Sequence, residues 1–224
     1  MKVLNLYAGI GGNRKLWEDV EVTAIELNPE IAEIYHSFFP NDEVIVTDAH
    51  QYLLDHYEGY DFIWSSPPCQ THSRMSHINH ARGQRVYPNM KLWQEIIYLQ
   101  SWCKKKWVVE NVRVFYNPLI KPQEVGRHYF WANFKITPFK LSRDFNTTNT
   151  PIKNQITQMD HLDILENHHG IKLPKETKRK RTLLKNCVYP PLGQHILNCG
   201  RGNTQMELSV YTKQLRTKIG SSKP

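Results

Sequence analysis

Short apolar runs alternate with segments of helical periodicity through the first 136 residues of the chain. This alternation is typical of βα units, in which helices cover the faces of a parallel sheet. The spacing predicts strands over 3–7, 22–25, 44–46, 61–64, 107–109 and 129–136. It predicts helices over 14–18, 29–39, 51–57 and 90–103. We therefore expect an α/β fold whose ligands bind at the carboxyl ends of the strands.

The chain is strongly basic, with a formal net charge of +8 over 224 residues. A charge of this sign favours a polyanionic partner such as nucleic acid. Arg74, Arg82 and Arg85 fall in one polar loop, and residues 175–181 read KETKRKR. No apolar stretch approaches the roughly 20 residues that a membrane span needs, and the Gly-rich amino terminus is unlike a signal peptide. The expectation is a cytoplasmic protein that does not enter a membrane.

The four cysteines show no paired CxxC spacing, so neither a disulfide framework nor a structural zinc site is expected. Two mixed sets were considered as metal ligands, Cys187 with His195 and Cys199, and the histidines between residues 72 and 80. Neither set has the ligand spacing of a known site. The sequence therefore predicts no metal.

Beyond residue 136 the pattern changes. Residues 137–180 are polar, rich in Thr, Asn, Asp and Lys, and weakly periodic, which predicts a small inserted subdomain or an ordered loop. Apolar order returns over 181–200, and 201–224 form a polar tail. The chain is thus divided into a main domain (1–136), an inserted segment (137–180), a segment that returns to the main domain (181–200) and the tail.

A glycine-rich turn, Tyr7–Gly12 (YAGIGG), follows the first predicted strand directly. Glycines there let the backbone turn tightly and approach a ligand closely. Glu26 ends the second strand, where an acid can accept hydrogen bonds from ribose hydroxyls. Asp48 follows the third strand and could bind an adenine amino group. Either acid could equally be a helix cap.

Two further motifs follow the fourth and fifth predicted strands. Pro67-Pro68-Cys69-Gln70 holds a thiol on a stiffened backbone, although a structural cysteine is the ordinary explanation of a lone Cys. Glu110-Asn111-Val112 is expected just beyond the fifth strand. If these strands are neighbours, the Glu110 carboxylate lies beside the Cys69 thiol.

These motifs, in this order on strands one, four and five, resemble those of the cytosine-C5 DNA methyltransferase family. Residues 123–130 (QEVGRHYF) are similar to its Gln-x-Arg-x-Arg element, with Arg127 as the second arginine and Val125 in place of the first. Residues 186–190 (NCVYP) resemble its Gly-Asn-Ser/Ala-Val-x-Pro motif, with Lys185 replacing the glycine and Cys187 the Ser or Ala. The resemblance spans residues 1–198 except the middle of 137–180.

The resemblance implies a Rossmann-like S-adenosylmethionine-dependent methyltransferase fold with a small, irregular recognition subdomain over 137–180. It implies S-adenosylmethionine as cofactor, S-adenosylhomocysteine as product and no metal. The implied catalytic residues are Cys69, which attacks C6 of cytosine, Glu110 near N3 and Arg127 near O2. The implied cofactor-binding residues are Tyr7, Ala8, Gly9, Ile10, Gly11, Gly12, Glu26, Leu27, Asp48, Ala49, Pro68, Leu92, Asn186, Cys187 and Val188.

The implied partner is double-stranded DNA, whose target cytosine must leave the base stack to expose C6. The loop over 70–88 is expected to close over it. The residues expected to contact DNA are Gln70, Ser73, Arg74, Arg82, Arg85, Lys178 and Arg179. Because the recognition segment is short, we expect a short or relaxed target site, or a second subunit or dimer that supplies recognition. The family suggests a bacterial or bacteriophage-infected host cell.

Three other functions remain open from the sequence. An RNA cytosine methyltransferase of the same superfamily shares these motifs. A catalytically silent DNA-binding relative is favoured by Val125 and the short recognition segment, and is opposed by the intact Cys69 and Glu110. An enzyme that methylates an exocyclic amino group needs no thiol, and typically has an acidic or polar residue before Pro-Pro and an aromatic residue after it. Here Ser66 precedes and Cys69 follows.

Overall fold

The computed structural model describes residues 1–74, 78, 83, 87–139 and 158–202. In this part of the chain seven strands form one sheet in the order β3-β2-β1-β4-β5-β7-β6. The first five strands are parallel, and β7 pairs antiparallel with both β5 and β6. The strands are β1 Lys2–Leu6, β2 Glu21–Ile25, β3 Glu43–Ile45, β4 Phe62–Ser65, β5 Lys106–Val112, β6 Gln123–Val125 and β7 His128–Ala132.

Six α-helices accompany the sheet within the described residues. They are α1 Pro29–Phe38, α2 Ala49–His56, α3 Lys91–Trp102, α4 Gln158–His169, α5 Lys180–Asn186 and α6 Pro190–Gly200. None of these helices is long and apolar enough to cross a bilayer. The alternation of strands and helices through β5 confirms the predicted α/β fold, with the parallel strand order β3-β2-β1-β4-β5 of a Rossmann-like sheet.

Helices cover both faces of the sheet. Successive strand residues point to opposite faces, so Ile63 and Trp64 of β4 enter different cores. Ile63 packs with Leu92 and Ile96 of α3, whereas Trp64 packs with Ile196 of α6. The central strands are therefore buried on both sides, which explains why they read as continuous apolar runs rather than as alternating ones.

The strand order creates a crevice between β1 and β4. From β1 the chain proceeds to β2 and β3 on one side, and then returns to place β4 on the other side. Loops at such a switch point diverge and leave room for a ligand beyond the carboxyl ends of the strands. The loops that follow β1 and β4, residues 7–12 and 66–70, therefore border the same crevice.

Helix α1 shows how local signals set an element. The Asn28 side chain accepts hydrogen bonds from the backbone N–H groups of Glu30 and Ile31, and Pro29 occupies the first helical position. Pro40 follows shortly after the last helical residue, Phe38. The predicted range of 29–39 is therefore correct to one residue.

The helix predicted over 14–18 is wrong, because these residues form turns. The Arg14 guanidinium donates to the Trp17 carbonyl and pairs with Asp42 at 2.8 Å. Asp19 then takes a left-handed backbone conformation with φ of 56°. The Arg14 side chain thus fixes these turns through one local bond to Trp17 and one tertiary ion pair with Asp42.

Strand β5 is longer than predicted, because antiparallel β7 pairs with its second half. Glu110 consequently lies inside the strand, opposite Phe130, rather than beyond its end. The strand expected over 129–136 ends at Ala132, and the three-residue β6 was not predicted. So short an element carries too little periodicity to be recognised in a sequence.

The segment over 137–180 contains α4, which its weak periodicity did not indicate. Leu165 of α4 packs with Leu184 of α5 in a small cluster that also includes Ile10. Ile34 on α1 packs against the same cluster. These contacts hold the helical segment against the loop that follows β1.

Candidate active site

A cavity of about 610 Å³ opens at the switch point, within the size range of small-molecule sites. It is bordered by the loops after β1 and β4, the end of β5, the β6–β7 turn and the end of α5. It brings together all three predicted catalytic residues and most of the predicted cofactor residues. The predicted site residues that line it are Tyr7, Ala8, Gly9, Ile10, Gly12, Glu26, Pro68, Cys69, Gln70, Ser73, Arg74, Glu110, Arg127, Asn186, Cys187 and Val188.

Seven other predicted site residues are described by the structure but do not line this cavity. They are Gly11, Leu27, Asp48, Ala49, Leu92, Lys178 and Arg179. The predicted DNA contacts Arg82 and Arg85 lie outside the described residues.

Two of these seven have clear structural roles. Leu92 is 1% exposed in the core between α3 and the sheet. Asp48 caps α2, where its side chain accepts from the Gln51 N–H at 2.9 Å, and it pairs with Lys91 at 3.2 Å. The Gln51 bond and the Lys91 charge hold the pKa of the Asp48 carboxyl below its usual value.

The loop after β1 requires unusual backbone conformations. Tyr7 and Gly9 both have φ of 55°, a region that L side chains rarely adopt. A Cβ on Gly12 would lie 2.7 Å from the Val188 carbonyl oxygen and 2.9 Å from the Cys187 Cβ. Glycine at position 12 thus allows the segment after α5 to close against this loop, which was the expectation for residues 186–188.

Glu26 braces this loop from the end of β2. One carboxylate oxygen accepts from the Gly9 N–H at 3.0 Å, and the other accepts from the Asn28 N–H at 3.0 Å. The carboxylate also borders the cavity. Since each oxygen has further lone pairs, Glu26 can accept ribose hydroxyls while it holds the loop.

Asn111 and the turn after β4 position Cys69. The Asn111 side chain, 1% exposed, donates to the Pro67 carbonyl oxygen at 2.9 Å. The Cys69 carbonyl accepts from the N–H groups of His72 and Ser73, which closes the turn. Ser73 then forms a bridge with Val114, the second residue after β5. The Pro-Pro-Cys segment is therefore fixed to β5 at both ends.

The thiol of Cys69 is mostly buried beside a carboxylate. Burial raises its pKa, and the negative charge of Glu110 raises it further. The two side chains lie on neighbouring strands, because β4 pairs directly with β5. The expectation that Glu110 would lie beside Cys69 is thus met in the geometry.

Glu110 has a partner that the sequence analysis missed. Nδ1 of His128 lies 2.6 Å from Oε1 of Glu110, and both side chains are largely buried, at 15% and 9% exposure. His128 borders the same cavity. His128 directly follows Arg127 in the sequence, so it could have been considered as a site residue. Its contact with Glu110 could not be predicted, because that contact depends on how β7 pairs with β5.

Arg127 lines the cavity and lies near His168 and His169 at the end of α4. Its positive charge lowers the pKa of His168 and of His169 at the end of α4, in addition to the larger effect of their burial. The pKa of His169 falls to about 3. The His168 ring stacks on Tyr189, with ring centroids 4.4 Å apart. Helix α4 is therefore anchored next to a predicted catalytic side chain.

A second polar cluster lies beneath the cavity, around the completely buried Glu95 of α3. Its carboxylate accepts from the Tyr7 hydroxyl at 2.5 Å and the Ser65 hydroxyl at 2.7 Å, and lies 3.0 Å from His50 Nδ1. Burial and the Glu95 charge raise the pKa of Tyr7. The sequence contained an indication of this cluster, because Glu95 lies on the apolar face of a helix between Leu92 and Leu99.

The residues of the cavity fit S-adenosylmethionine. A Cβ on Gly9 would meet no heavy atom within 4 Å, so this glycine leaves open space next to Glu26, whose carboxylate could accept ribose hydroxyls. Cys69 lines the same cavity. Within the described residues, no cluster of three or more His, Cys, Asp or Glu side chains could hold a metal ion.

Comparison with protein families gives a match to the C-5 cytosine-specific DNA methylase family over residues 1–121, which is more than half of the chain. The human tRNA (cytosine(38)-C(5))-methyltransferase is 28% identical over 122 residues. The aligned part covers 51% of this chain and 31% of that relative, so the chain spans about a third of its length.

Solved structures of methyltransferases are also similar. A mutant of Spodoptera frugiperda DNMT2 is 26% identical, with a TM-score of 0.38, over 53% of this chain and 37% of that one. The Entamoeba histolytica methyltransferase EhMeth is 18% identical, with a TM-score of 0.39, over 53% of this chain and 40% of that one.

Proposed function

The chain belongs to the C-5 cytosine-specific DNA methylase family, and we propose that it transfers a methyl group from S-adenosylmethionine to C5 of a cytosine in DNA. The observation that carries the proposal is the joint presence, in one cavity, of the Cys69 thiol, the Glu110 carboxylate and the glycine-rich loop. Arg127 and residues 186–188 lie beyond the matched range, yet they line the same cavity.

S-Adenosylmethionine supplies an electrophilic methyl group when bound. In this proposal Glu26 accepts the ribose hydroxyls, and the backbone of Ala8 to Gly12 surrounds the methionine part. Tyr7 and Val188 provide apolar contacts. The bonds from Glu26 to Gly9 and Asn28 hold this side of the cavity in shape before the cofactor arrives.

Cys69 is the proposed nucleophile. C5 of cytosine is a poor nucleophile because it belongs to an electron-deficient aromatic ring. A thiolate that adds to C6 breaks the aromaticity and makes C5 able to attack the methyl group. Burial raises the pKa of this thiol, and we expect the thiol to release its proton to solvent when the target base binds. The thiolate then adds to C6.

Glu110 and Arg127 would neutralise the charge that this addition places on the ring. As the sulfur–C6 bond forms, a proton passes from Glu110 to N3, while Arg127 contacts O2. After methyl transfer the C5 proton is lost to solvent, the sulfur–C6 bond breaks, and N3 returns its proton to Glu110. The thiolate and the carboxyl group are then ready for another cycle.

The base must leave the duplex to reach this cavity, because stacking covers C6. Gln70, Ser73 and Arg74 border the cavity and begin the loop that we expect to close over the flipped nucleotide. Lys178 and Arg179 are exposed before the start of α5, about 10 Å along that helix from Lys185 at the cavity. We expect them to contact phosphates rather than bases.

A tRNA cytosine is the second candidate substrate. It is favoured by one observation, the 28% identity with the human tRNA methyltransferase. The chemistry at C5 and C6 would be the same, so only the nucleic-acid surface distinguishes the two functions.

The test uses DNA and tRNA-like RNA that contain 5-fluorocytosine, which blocks loss of the C5 substituent and traps the adduct. With S-adenosylmethionine, we expect a covalent complex with DNA that survives denaturation. It should be absent in Cys69→Ala and present in Cys103→Ala, a buried thiol outside the cavity. An adduct with RNA alone would show that the substrate is RNA rather than DNA. No adduct with either nucleic acid would reject cytosine-C5 methylation.

Target recognition is proposed to be short or relaxed, or to depend on a second subunit. The inserted segment from 137 to 180 is small, and Leu165 of its helix α4 packs against Leu184 of α5. Methylation of a library of random DNA, read by bisulfite sequencing, gives the target directly. A single long target sequence methylated by the isolated chain would contradict this proposal.

A further inference from the structure

The basic side chain that contacts Glu110 is His128, which is not at the position where the family element has its first arginine. In the resembling family element, an arginine is expected at position 125, and this chain has a valine there that is 6% exposed in the core. Val125 of β6 pairs directly with His128 of β7. Side chains directly opposite one another in an antiparallel pair lie on the same face, roughly 5 Å apart. A side chain at 125 and the side chain of His128 are therefore neighbours on the face of the sheet that carries Glu110.

The pairing of β7 with β5 aims His128 at Glu110. His128 lies opposite Val112, and Glu110 lies two residues before Val112 on the same face of β5. The 2.6 Å contact between Nδ1 of His128 and Oε1 of Glu110 spans this diagonal. Within the described residues it is the one hydrogen bond made to that carboxylate, so the second oxygen can face the cavity.

Other ionisable side chains line the same cavity as Glu110. The charge of Glu110 acts on the Cys69 thiol, which follows β4. Arg127, in the turn before β7, acts on His168 and His169 of α4. Arg113, just beyond β5, pairs with Glu124 at 2.8 Å. Among the described residues, His128 is the basic side chain that forms a hydrogen bond with Glu110.

We propose that His128 is a positioning residue that takes the place of the arginine missing at 125 and orients Glu110 for proton transfer to N3. This inference rests on the proposed methyl transfer. The Nδ1–H of the imidazole donates to Oε1, which holds the other oxygen of the Glu110 carboxyl group toward N3, and Glu110 passes its own proton to N3. When the product ring regains its aromaticity, N3 returns the proton to Glu110. No proton is gained or lost over the cycle at this pair.

The test compares His128→Asn, His128→Lys and the double variant Val125→Arg with His128→Asn, in the full chain. The exposed His36 on α1 provides a matched control, His36→Asn. We expect His128→Asn to lower kcat on DNA about 100-fold, because Glu110 loses the bond that orients it for proton transfer, with little change in the KM for S-adenosylmethionine. His128→Lys and the double variant should recover at least tenfold of that loss, because each restores a long basic side chain that can donate to Glu110.

A second readout needs no nucleic acid. The pH at which iodoacetamide alkylates Cys69, followed by mass spectrometry, reports the charge on Glu110, because that charge raises the pKa of the thiol. At the high pH where this thiol ionises, an ordinary imidazole is neutral but a lysine ammonium is still charged. His128→Lys therefore places a cation beside Glu110 and should move the alkylation midpoint to lower pH, whereas His128→Asn should stay near the wild-type midpoint. The shift caused by His128→Lys should be smaller in a Glu110→Gln background.

The two readouts separate this inference from the proposed function. If wild type forms the fluorocytosine adduct and His128→Asn has wild-type kcat, the role of His128 is rejected and the function stands. If neither DNA nor RNA is methylated but the midpoint moves as expected, the His128–Glu110 coupling stands and the function is rejected. A thermal melt of each variant identifies loss of folding, and His128→Lys remains informative where arginine at 125 is not accommodated.

Discussion

Glu95 and Glu110 are both buried carboxylates near the same sheet, and each contacts a histidine, yet their surroundings differ. Glu95 is completely buried and is bonded by Tyr7 and Ser65 as well as by His50. Glu110 has a single hydrogen-bond partner among the described residues and borders the cavity. The first carboxylate connects three elements of the fold, and the second retains an oxygen for a ligand.

The difference teaches how to distinguish a structural acid from a reactive one. A buried carboxylate with a full set of donors gains from every bond, and a change in its protonation state would break several of them. One with a vacant oxygen at a cavity edge can exchange a proton with a ligand at little structural cost. Burial and a histidine neighbour alone do not separate these two cases.

The largest expected effect comes from Glu110→Gln. The amide keeps the shape of the side chain but cannot pass a proton to N3, so kcat should fall by about 10²- to 10⁴-fold. The free energy of unfolding should change less than in Glu95→Gln. Single-turnover methylation and urea unfolding measure the two quantities. A large loss of stability with normal turnover per folded molecule would show that Glu110 is structural, as Glu95 is.

Glu95→Gln should lower the free energy of unfolding more than it lowers kcat, which is the reverse of the effect expected for Glu110→Gln. An amide NH₂ group would face the hydroxyl donors of Tyr7 and Ser65 or the His50 ring, and one buried group would lose its acceptor. Such a loss costs about 1–3 kcal/mol of stability. Urea unfolding should show this decrease, while turnover at saturating cofactor falls less than tenfold. Equal stability of variant and wild type would mean that water or a shifted rotamer satisfies the cluster.

The smallest effect is expected from Tyr7→Phe, which removes one donor from Glu95 and leaves two partners. The loss should be about 1 kcal/mol, the ordinary contribution of one buried hydrogen bond. Because Tyr7 holds a left-handed conformation at the start of the cofactor loop, the affinity for S-adenosylmethionine should also weaken severalfold in calorimetry. Tyr57→Phe, whose hydroxyl bonds the exposed Glu58, is the control and should match wild type in both measurements.

Local patterns in the sequence were sufficient for most of the fold and for the core of the site. The alternation of strands and helices, the proline and Asn signals around α1 and the motifs after β1 and β4 depend on residues close together in the chain. Their physical causes act over a few positions: backbone stiffness, capping and apolar periodicity. The prediction that Cys69 and Glu110 share one cavity needed just one further assumption, that strands four and five are neighbours, and the register of β4 with β5 meets it.

Only the tertiary structure decided which side chains support these residues. His128 reaches Glu110 across 18 positions, Asn111 reaches Pro67 across 44 and Tyr7 reaches Glu95 across 88. Each contact depends on strand register or on how a helix packs on the sheet, and a one-residue slip would turn the side chain to the other face. For the same reason Leu92 enters the core instead of the cavity. The sequence alone thus determined which candidate side chains follow the strands of this site, and the pairing of β5, β6 and β7 decided which group contacts Glu110.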